Sequence, residues 1–271
     1  MNALITGAGS GIGRGIALGL AKRGVAIGLV GRRPEALAET AALATSFAVQ
    51  TTSLPCDLMQ PAQRQRLLDH CHQQLGTIDV LVNNAAILQS GALSSQQQEA
   101  ITATVETNLT ASIDLLRLFL PDLAATQGVA AFISSSASLV PLPYLSLYSA
   151  SKAGLDAFAR SVQYELRRQQ IHTLIAYPPA TATDMTDRMA AAAHARWFPR
   201  ADPLWVGDKI AAGILARRRV VDLQRGEQIL AWFYRLAPGL VTKVLQWQAA
   251  RFAQMMGGVS EDNAPGTCRN K

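Results

Sequence analysis

Ala3-Leu4-Ile5-Thr6-Gly7-Ala8-Gly9-Ser10-Gly11-Ile12-Gly13 is the stretch on which the fold turns. Residues 3–6 are an apolar run closed by threonine, as a buried strand would be, and residues 12–23 carry helical spacing that stops at Gly24. Between them glycine recurs at every second position from Gly7 to Gly13. Glycine lets the backbone turn sharply and lets a bound group approach it closely. A helix starting there adds unpaired N–H groups and the positive end of its dipole, so the turn suits an anion of the pyrophosphate type. Tight turns also use glycine for steric reasons alone. Its place directly between an apolar strand and a helix is what points to a dinucleotide.

Beyond this turn strands and helices alternate. Strands are expected at 26–30, 49–54, 80–83, 130–134 and 173–177, with helices from Pro34 and over 61–75, 99–120 and 147–170. Continuous apolar strands separated by helices imply a parallel sheet covered on both faces, an α/β fold of the Rossmann, doubly wound type. No repeat or linker divides residues 1–225, which are expected to form one domain closing with a short strand at 220–223. From 226 to 260 the pattern changes to helix, Pro238-Gly239, helix, a helical C-terminal extension, and 261–271 are expected to form a flexible tail.

Composition narrows the class. A chain of 271 residues with 49% apolar content and a mean hydropathy of +0.13 can bury a core without staples. It has no apolar run of membrane-spanning length, and its first residues lack the basic start of a signal peptide. Cys56, Cys71 and Cys268 have no metal-ligand spacing, which points to reduced thiols in the cytoplasm and to no metal. The formal charge of +6 gathers in the last quarter, with Arg217, Arg218 and Arg219 at its start. No nucleic-acid recognition module accompanies it, so no nucleic-acid partner is expected and a solvated basic face is the simpler reading.

The adenosine end of a dinucleotide site is set after the second strand. NAD-binding folds place a carboxylate there for the ribose, whereas this chain has Gly31 followed by Arg32 and Arg33. Guanidinium groups fork onto a 2′-phosphate that a carboxylate would repel, which favours NADP(H) over NAD(H). Two surface charges opening a loop would look the same.

An acid–base pair stands at Tyr148-Ser149-Ala150-Ser151-Lys152. Residues four apart share a helix face, so Lys152 can lie beneath the phenol of Tyr148. A free phenol titrates at about 10, and a neighbouring ammonium favours phenolate and lowers that value. Tyr148 can then exchange a proton with a substrate oxygen. Ser135 lies thirteen residues before this tyrosine, at the end of the strand expected at 130–134, with Ser134, Ser136 and Ser138 as neighbouring hydroxyls.

In chain order, the Thr6–Gly13 spacing, Asn83-Asn84-Ala85-Ala86, Asn108, Ser135 and the Tyr148/Lys152 pair resemble the short-chain dehydrogenase/reductase family. The resemblance implies a hydride transfer between a nicotinamide cofactor and a carbonyl/alcohol pair. It assigns Asn108, Ser135, Tyr148 and Lys152 to catalysis, Asn108 through a backbone carbonyl that supports a relay water. For the cofactor it implies Thr6, Gly7, Gly9, Ser10, Gly11, Ile12 and Gly13 at the phosphates, with Arg32 and Arg33 beyond them. Asp57 and Leu58 match the adenine contact, although an Asp here could equally cap the next helix. Asn84 and Ala85 border the cofactor, as do Tyr148 and Lys152; Pro178, Thr181 and Thr183 follow the sixth strand, with Thr183 as the threonine for the carboxamide or phosphates. Two positions depart from the family pattern, Ala86 and Pro179, where glycine is usual.

The string Tyr177-Pro178-Pro179-Ala180-Thr181-Ala182-Thr183 is similar to that of 3-ketosphinganine reductases, which reduce a long-chain keto base. Residues 184–200 are expected to form a lid whose Met189, Trp197, Phe198 and Met185 face a hydrophobic ketone or simply pack the lid down. His172 and His194 have no motif partner and are read as structural. The apolar and basic residues of 228–256 suit peripheral contact with an anionic membrane, core packing or a dimer contact alike. The resemblance further implies a homodimer or homotetramer through the helices at 99–120 and 147–170.

The leading expectation is an NADPH-dependent reductase of a lipophilic ketone. A dehydrogenase oxidising a hydroxylated lipid or alcohol would use the same residues. A sugar-nucleotide epimerase shares the Tyr/Lys pair but needs a larger substrate domain. A non-catalytic dinucleotide-sensing protein would need the glycine turn and not the acid–base group.

Overall fold

In the computed structural model the strands lie in one parallel sheet of seven. The structure describes residues 1–183, 185, 200–224 and, beyond these, 231, 233–234, 236–243 and 246. The first half runs β1 (Asn2–Thr6), α1 (Gly11–Ala21), β2 (Ala26–Gly31), α2 (Pro34–Ala44), β3 (Thr51–Pro55), α3 (Pro61–Leu75) and β4 (Val80–Asn83). The second half runs α4 (Gln98–Val105), α5 (Ala111–Ala125), β5 (Val129–Ile133), α6 (Ser146–Arg168), β6 (His172–Tyr177), α7 (Pro203–Leu215) and β7 (Val220–Asp222). The order across the sheet is β3-β2-β1-β4-β5-β6-β7. Connection direction therefore reverses between β1 and β4, and a crevice opens above their carboxyl ends, where ligands of such sheets bind.

Strand alternation divides the core in two. Ala3 and Ile5 of β1 face a cluster with Ile16 and Leu20 of α1, Leu37 of α2 and Ile210 of α7. Leu4 faces the other cluster, with Leu67 of α3, Phe119 of α5 and Leu155 of α6. All five residues of β5 are buried, as expected of a central parallel strand covered on both sides.

Two elements differ from the sequence-based expectation. The helix expected at 99–120 is two helices joined by a π-turn, Glu106–Thr110. Its second half continues through Pro121 to Ala125, because Phe119 and Leu123 on either side are fully buried and tertiary packing outweighs the missing N–H. The third strand begins at Thr51, two residues later than expected, after Ala48 takes a left-handed φ of 54°.

Helix α1 is held against α7 through glycine. A Cβ on Gly207 would lie 2.2 Å from the Gly15 carbonyl carbon, and one on Gly19 would lie 2.9 Å from the Ala211 Cβ. Helices that approach so closely have no room for a methyl group. Gly207→Ala is expected to destabilise the fold by about 2–3 kcal/mol, lowering Tm by roughly 5–10 °C in a thermal melt.

Among the described residues no helix is long and apolar enough to cross a membrane, and no group of three His, Cys, Asp or Glu could hold a metal ion. Of the expected lid, Met185 and Arg200 are described; Met189, His194, Trp197 and Phe198 lie outside the described residues. In the expected extension, residues 231, 233–234, 236, 238–243 and 246 are helical, with Ala231 and Val241 buried and Phe233, Leu236 and Leu240 exposed. Most of 244–256 and all of 261–271 lie outside the described residues.

Candidate active site

The glycine turn forms the floor of the crevice. Gly7 and Gly11 adopt φ values of 67° and 54°, a left-handed conformation that L side chains rarely take. A Cβ on Gly13 would lie 2.2 Å from the Gly7 carbonyl oxygen, so the first turn of α1 rests directly on the loop. Ser10 precedes α1 without a side-chain capping bond, and the first turn carries no acidic residue. The helix start thus keeps its N–H groups and positive dipole for an anion.

Two side chains outside the sequence motifs brace this loop. The Thr40 hydroxyl, fully buried on α2, donates to the Ala8 carbonyl at 3.0 Å, and Arg14 donates from Nη2 to the Gly9 carbonyl at 2.6 Å and from Nε to Thr40 at 3.0 Å. A threonine at a core position of an amphipathic helix is the signal that could have found the brace.

Thr6 does not line the crevice. At the carboxyl end of β1 its hydroxyl donates to the Val82 carbonyl of β4 at 3.1 Å and accepts from the N–H groups of Asn84 and Ala85 at 2.9 and 3.0 Å. Asn84 does line it, and its amide donates back to the Thr6 carbonyl at 2.8 Å. Next to it Asn83 is buried, and neither polar atom of its side chain has a partner among the described residues.

At the adenosine end, Arg32 and Arg33 are exposed on the rim, and Arg33 donates to the Ser10 hydroxyl at 3.3 Å. Asp57 and Leu58 line the same end of the crevice. Asp57 accepts from the Met59 N–H at 3.1 Å in a local turn, while Gln60 occupies the cap of α3, so Asp57 is not the helix cap. Ala36, Leu37 and Cys56, not anticipated from sequence, complete that end with apolar surface. Burial pushes the Cys56 thiol up to about 11, which keeps it neutral and unreactive.

The acid–base group sits where β5 ends and α6 begins. Lys152 is buried, donates from Nζ to the Ile133 carbonyl at 2.7 Å and lies 6.0 Å from the centre of the Tyr148 ring. Burial disfavours the ammonium and brings Lys152 down from 10.5 to about 8. Burial likewise pushes the Tyr148 phenol above its ordinary value, and a hydrogen bond with Ser135 acts in the opposite sense. The expected lowering of Tyr148 by Lys152 is not found: desolvation raises the phenol, and the influence opposing it is Ser135. Ser135, in extended backbone with φ −161°, is the serine that meets the phenol, whereas Ser134 donates its hydroxyl to Ser138 at 3.1 Å.

Asn108 lies in the π-turn with no exposed surface. Its Oδ1 accepts from the Ile87 N–H at 2.7 Å, and its Nδ2 donates to the Ile87 carbonyl at 2.9 Å and to Ser151 Oγ at 3.0 Å. Ser151 donates onward to the Tyr148 carbonyl at 2.8 Å. Asn108 thereby ties the wall at Ile87 to the helix that carries Tyr148 and Lys152.

After β6, Pro178 and Thr183 line the crevice, and a Cβ on Gly11 would meet Thr183 Cγ2 at 2.9 Å. Thr181 does not line it. A bridge to Ala201 turns Thr181 inward, where it is buried and donates to the Pro179 carbonyl at 2.7 Å. Ile87, Thr107 and Met185 add the remaining wall.

A parallel sheet whose switch-point crevice joins an anion cradle to a phenol, a hydroxyl and a buried amine defines a class, the dinucleotide-binding oxidoreductases. Within that class a model of the short chain dehydrogenases matches residues 1–193. The chain belongs to the short-chain dehydrogenase/reductase family. It is similar to 11-beta-hydroxysteroid dehydrogenase 1A of Arabidopsis thaliana, at 29% identity over 96% of this chain and 78% of the relative. It is also similar to a solved single-residue variant of actinorhodin polyketide ketoreductase with NADPH, at 26% identity and a TM-score of 0.76 over 83% of this chain and 96% of that one. A short-chain dehydrogenase from Sphingobium yanoikuyae in complex with NADPH aligns over 97% of this chain and 98% of its own, at 25% identity and a TM-score of 0.74.

Proposed function

We propose that this oxidoreductase reduces a lipophilic ketone to its alcohol with NADPH. The observation that carries the reading is the meeting of Tyr148 and Lys152 on the wall of the crevice that begins at the glycine turn, with Ser135 hydrogen-bonded to the phenol.

The crevice fits a dinucleotide on its own features. The Gly7 and Gly11 conformations, the methyl-free contact at Gly13 and the uncapped start of α1 suit a diphosphate, and the two guanidinium groups at Arg32 and Arg33 suit a 2′-phosphate. The NADPH named with both solved relatives agrees with this choice over NADH. Asp57, Leu58, Asn84, Ala85, Pro178 and Thr183 would hold the rest of the molecule. When bound, NADPH supplies the hydride.

The chain's own residues handle the oxygen and its proton. Burial raises the phenol of Tyr148, so it is protonated at neutral pH and placed to donate to the substrate oxygen. The Ser135 hydroxyl holds the same oxygen in line, and the Lys152 ammonium offsets the negative charge left on Tyr148. Asn108 fixes the register of α6 through Ser151.

Apolar Ile87 and Met185 at the inner wall, together with the hydroxysteroid dehydrogenase among the relatives, support a lipophilic substrate. The string from Tyr177 to Thr183 narrows the reading toward long-chain keto lipids of the 3-ketosphinganine type. In the same reading residues 1–225 are the catalytic domain, 184–200 its lid and 226–260 an appended helical segment. Exposed Phe233, Leu236 and Leu240 beside Lys243 support peripheral contact with an anionic membrane from the cytoplasm, and exposed Tyr164 on α6 supports assembly into a homodimer or homotetramer.

Fluorescence titration with NADPH and NADH, followed by turnover of ketones from short polar to long-chain, tests the proposal. Tighter NADH binding would overturn the assignment of Arg32 and Arg33, and turnover of small polar ketones alone would overturn the lipophilic substrate.

The pH profile carries a second expectation. Lys152 holds its proton below about 8 and loses it as pH rises through that value. Ketone reduction at saturating NADPH is therefore expected to fall on the alkaline side with a midpoint near 8. A profile flat to pH 10 would contradict a role for the ammonium.

A further inference from the structure

One buried arginine joins the two ends of the crevice from behind. Arg64, on α3, keeps only 3% of its surface exposed. Its Nη1 donates to the Leu58 carbonyl at 2.5 Å and to Glu106 Oε1 at 2.8 Å, and its Nε donates to Asp114 Oδ2 at 2.7 Å. Leu58 is part of the adenosine-end wall. Glu106 is the first residue of the π-turn, and Asp114 lies one helical turn beyond its last, Thr110. The guanidinium thus grips the π-turn at its head and just past its foot. Between those grips stand Thr107, which lines the crevice, and Asn108, which holds Ile87 and Ser151.

Fastening α3 to α5 would by itself need only the bond to Asp114. The remaining contacts go to the wall of the crevice and to the head of the π-turn, and a planar, five-donor guanidinium is the side chain that can serve all three acceptors together. π-turns leave the regular helical ladder out of register, so the placement of their residues depends on such external anchors.

We propose that Arg64 is a positioning residue that sets the register of the Glu106–Thr110 turn, and with it Asn108, against the adenosine-end wall at Leu58. The inference deepens the proposed reductase and rests on that reading for its kinetic consequences; its structural consequence stands alone. Seating a dinucleotide against Leu58 and orienting Asn108 then share one anchor, and the two halves of that anchor can be loosened separately.

Glu106→Gln weakens the grip on the π-turn and leaves the bond to Leu58. In the full-length protein it is expected to lower kcat for ketone reduction by about tenfold, the scale of a small misplacement of catalytic groups, with KM for NADPH changed by less than about twofold. Arg64→Lys keeps the charge but cannot serve three acceptors, so it is expected to lower kcat and also raise KM for NADPH severalfold. Arg117→Gln removes an exposed partner of Asp114 and is expected to leave both constants unchanged.

Amide hydrogen exchange supplies a readout that needs no turnover. The Ile87 N–H donates to Asn108, while the Ile78 N–H donates to Asp122 of α5 at 2.9 Å, away from the turn. In Glu106→Gln the Ile87 amide is expected to exchange about tenfold faster with Ile78 unchanged, reflecting local rather than global opening. Unchanged kcat together with unchanged Ile87 exchange would overturn the proposal. Equal acceleration at Ile87 and Ile78 would overturn it as well, because it would mark Arg64 as general scaffolding. If the wild-type protein turned over no ketone, the reductase reading would fail and the exchange comparison would still decide the role of Arg64.

Discussion

Tyr148→Phe is expected to lower ketone reduction by about a thousandfold while leaving NADPH binding nearly intact. The substitution removes one oxygen and keeps the ring on the wall of the crevice, 6.0 Å from Lys152 Nζ. A positioned general acid contributes about a hundred- to ten-thousandfold, and a thousandfold loss corresponds to about 4 kcal/mol of barrier. Among the described residues no second group can take over. Lys152 is engaged with the Ile133 carbonyl, Ser135 is a hydroxyl too weakly acidic at neutral pH, and Cys56 is a neutral thiol at the opposite end. NADPH affinity is expected to rest on the glycine turn and the arginine rim, which the phenol does not support. Measured together, binding by fluorescence and turnover at saturating cofactor should separate cleanly. A variant that retained turnover within about tenfold would place the acid elsewhere. A protein whose function was unaltered by the change would be a dinucleotide sensor.

How far the site could be read in the sequence depended on the range of each interaction. The glycine turn and the Tyr148/Lys152 pair are local: their chemistry follows from spacing along one turn or one helix, and the structure places both as that spacing requires. Ser135 lies on a different element, yet the end of a buried strand restricted it to a few registers. For Thr6 and Thr181, motif position says nothing of side-chain direction. The Thr6 hydroxyl is bonded to the end of β4, and a bridge to Ala201 turns Thr181 inward. The π-turn was hidden for another reason. Helical spacing runs unbroken from 99 to 120, and the side chain bonded to the head of the turn, Arg64, lies on α3 about forty positions earlier. Long-range polar anchors of this kind leave no periodicity. Arg14 and Thr40 left only a weak mark, polar residues where their helices turn inward.

Gly13→Ala should abolish measurable dinucleotide binding, with affinity reduced by at least about a hundredfold, or roughly 2.7 kcal/mol. The added methyl carbon would stand 2.2 Å from the Gly7 carbonyl oxygen, 2.5 Å from Asn84 Nδ2 and 2.8 Å from the Gly7 carbonyl carbon. None of these atoms can yield cheaply. Gly7 belongs to the loop backbone, and Asn84 is anchored to the Thr6 carbonyl at 2.8 Å. Nor can α1 retreat, since its Gly15 and Gly19 already touch α7 without room for a methyl group. The turn must therefore open, and it is the turn that would receive the diphosphate. Gly24→Ala provides the contrast. A Cβ there meets nothing within 4 Å, but its φ of 79° is left-handed, so the substitution costs about 1–2 kcal/mol of stability through backbone strain alone. It lies at the far end of α1 and should leave NADPH affinity unchanged. Titrating both variants with NADPH separates steric closure of the cradle from general loss of stability. A Gly13→Ala protein that was folded and bound NADPH as the wild type does would mean that the diphosphate is held somewhere other than this turn.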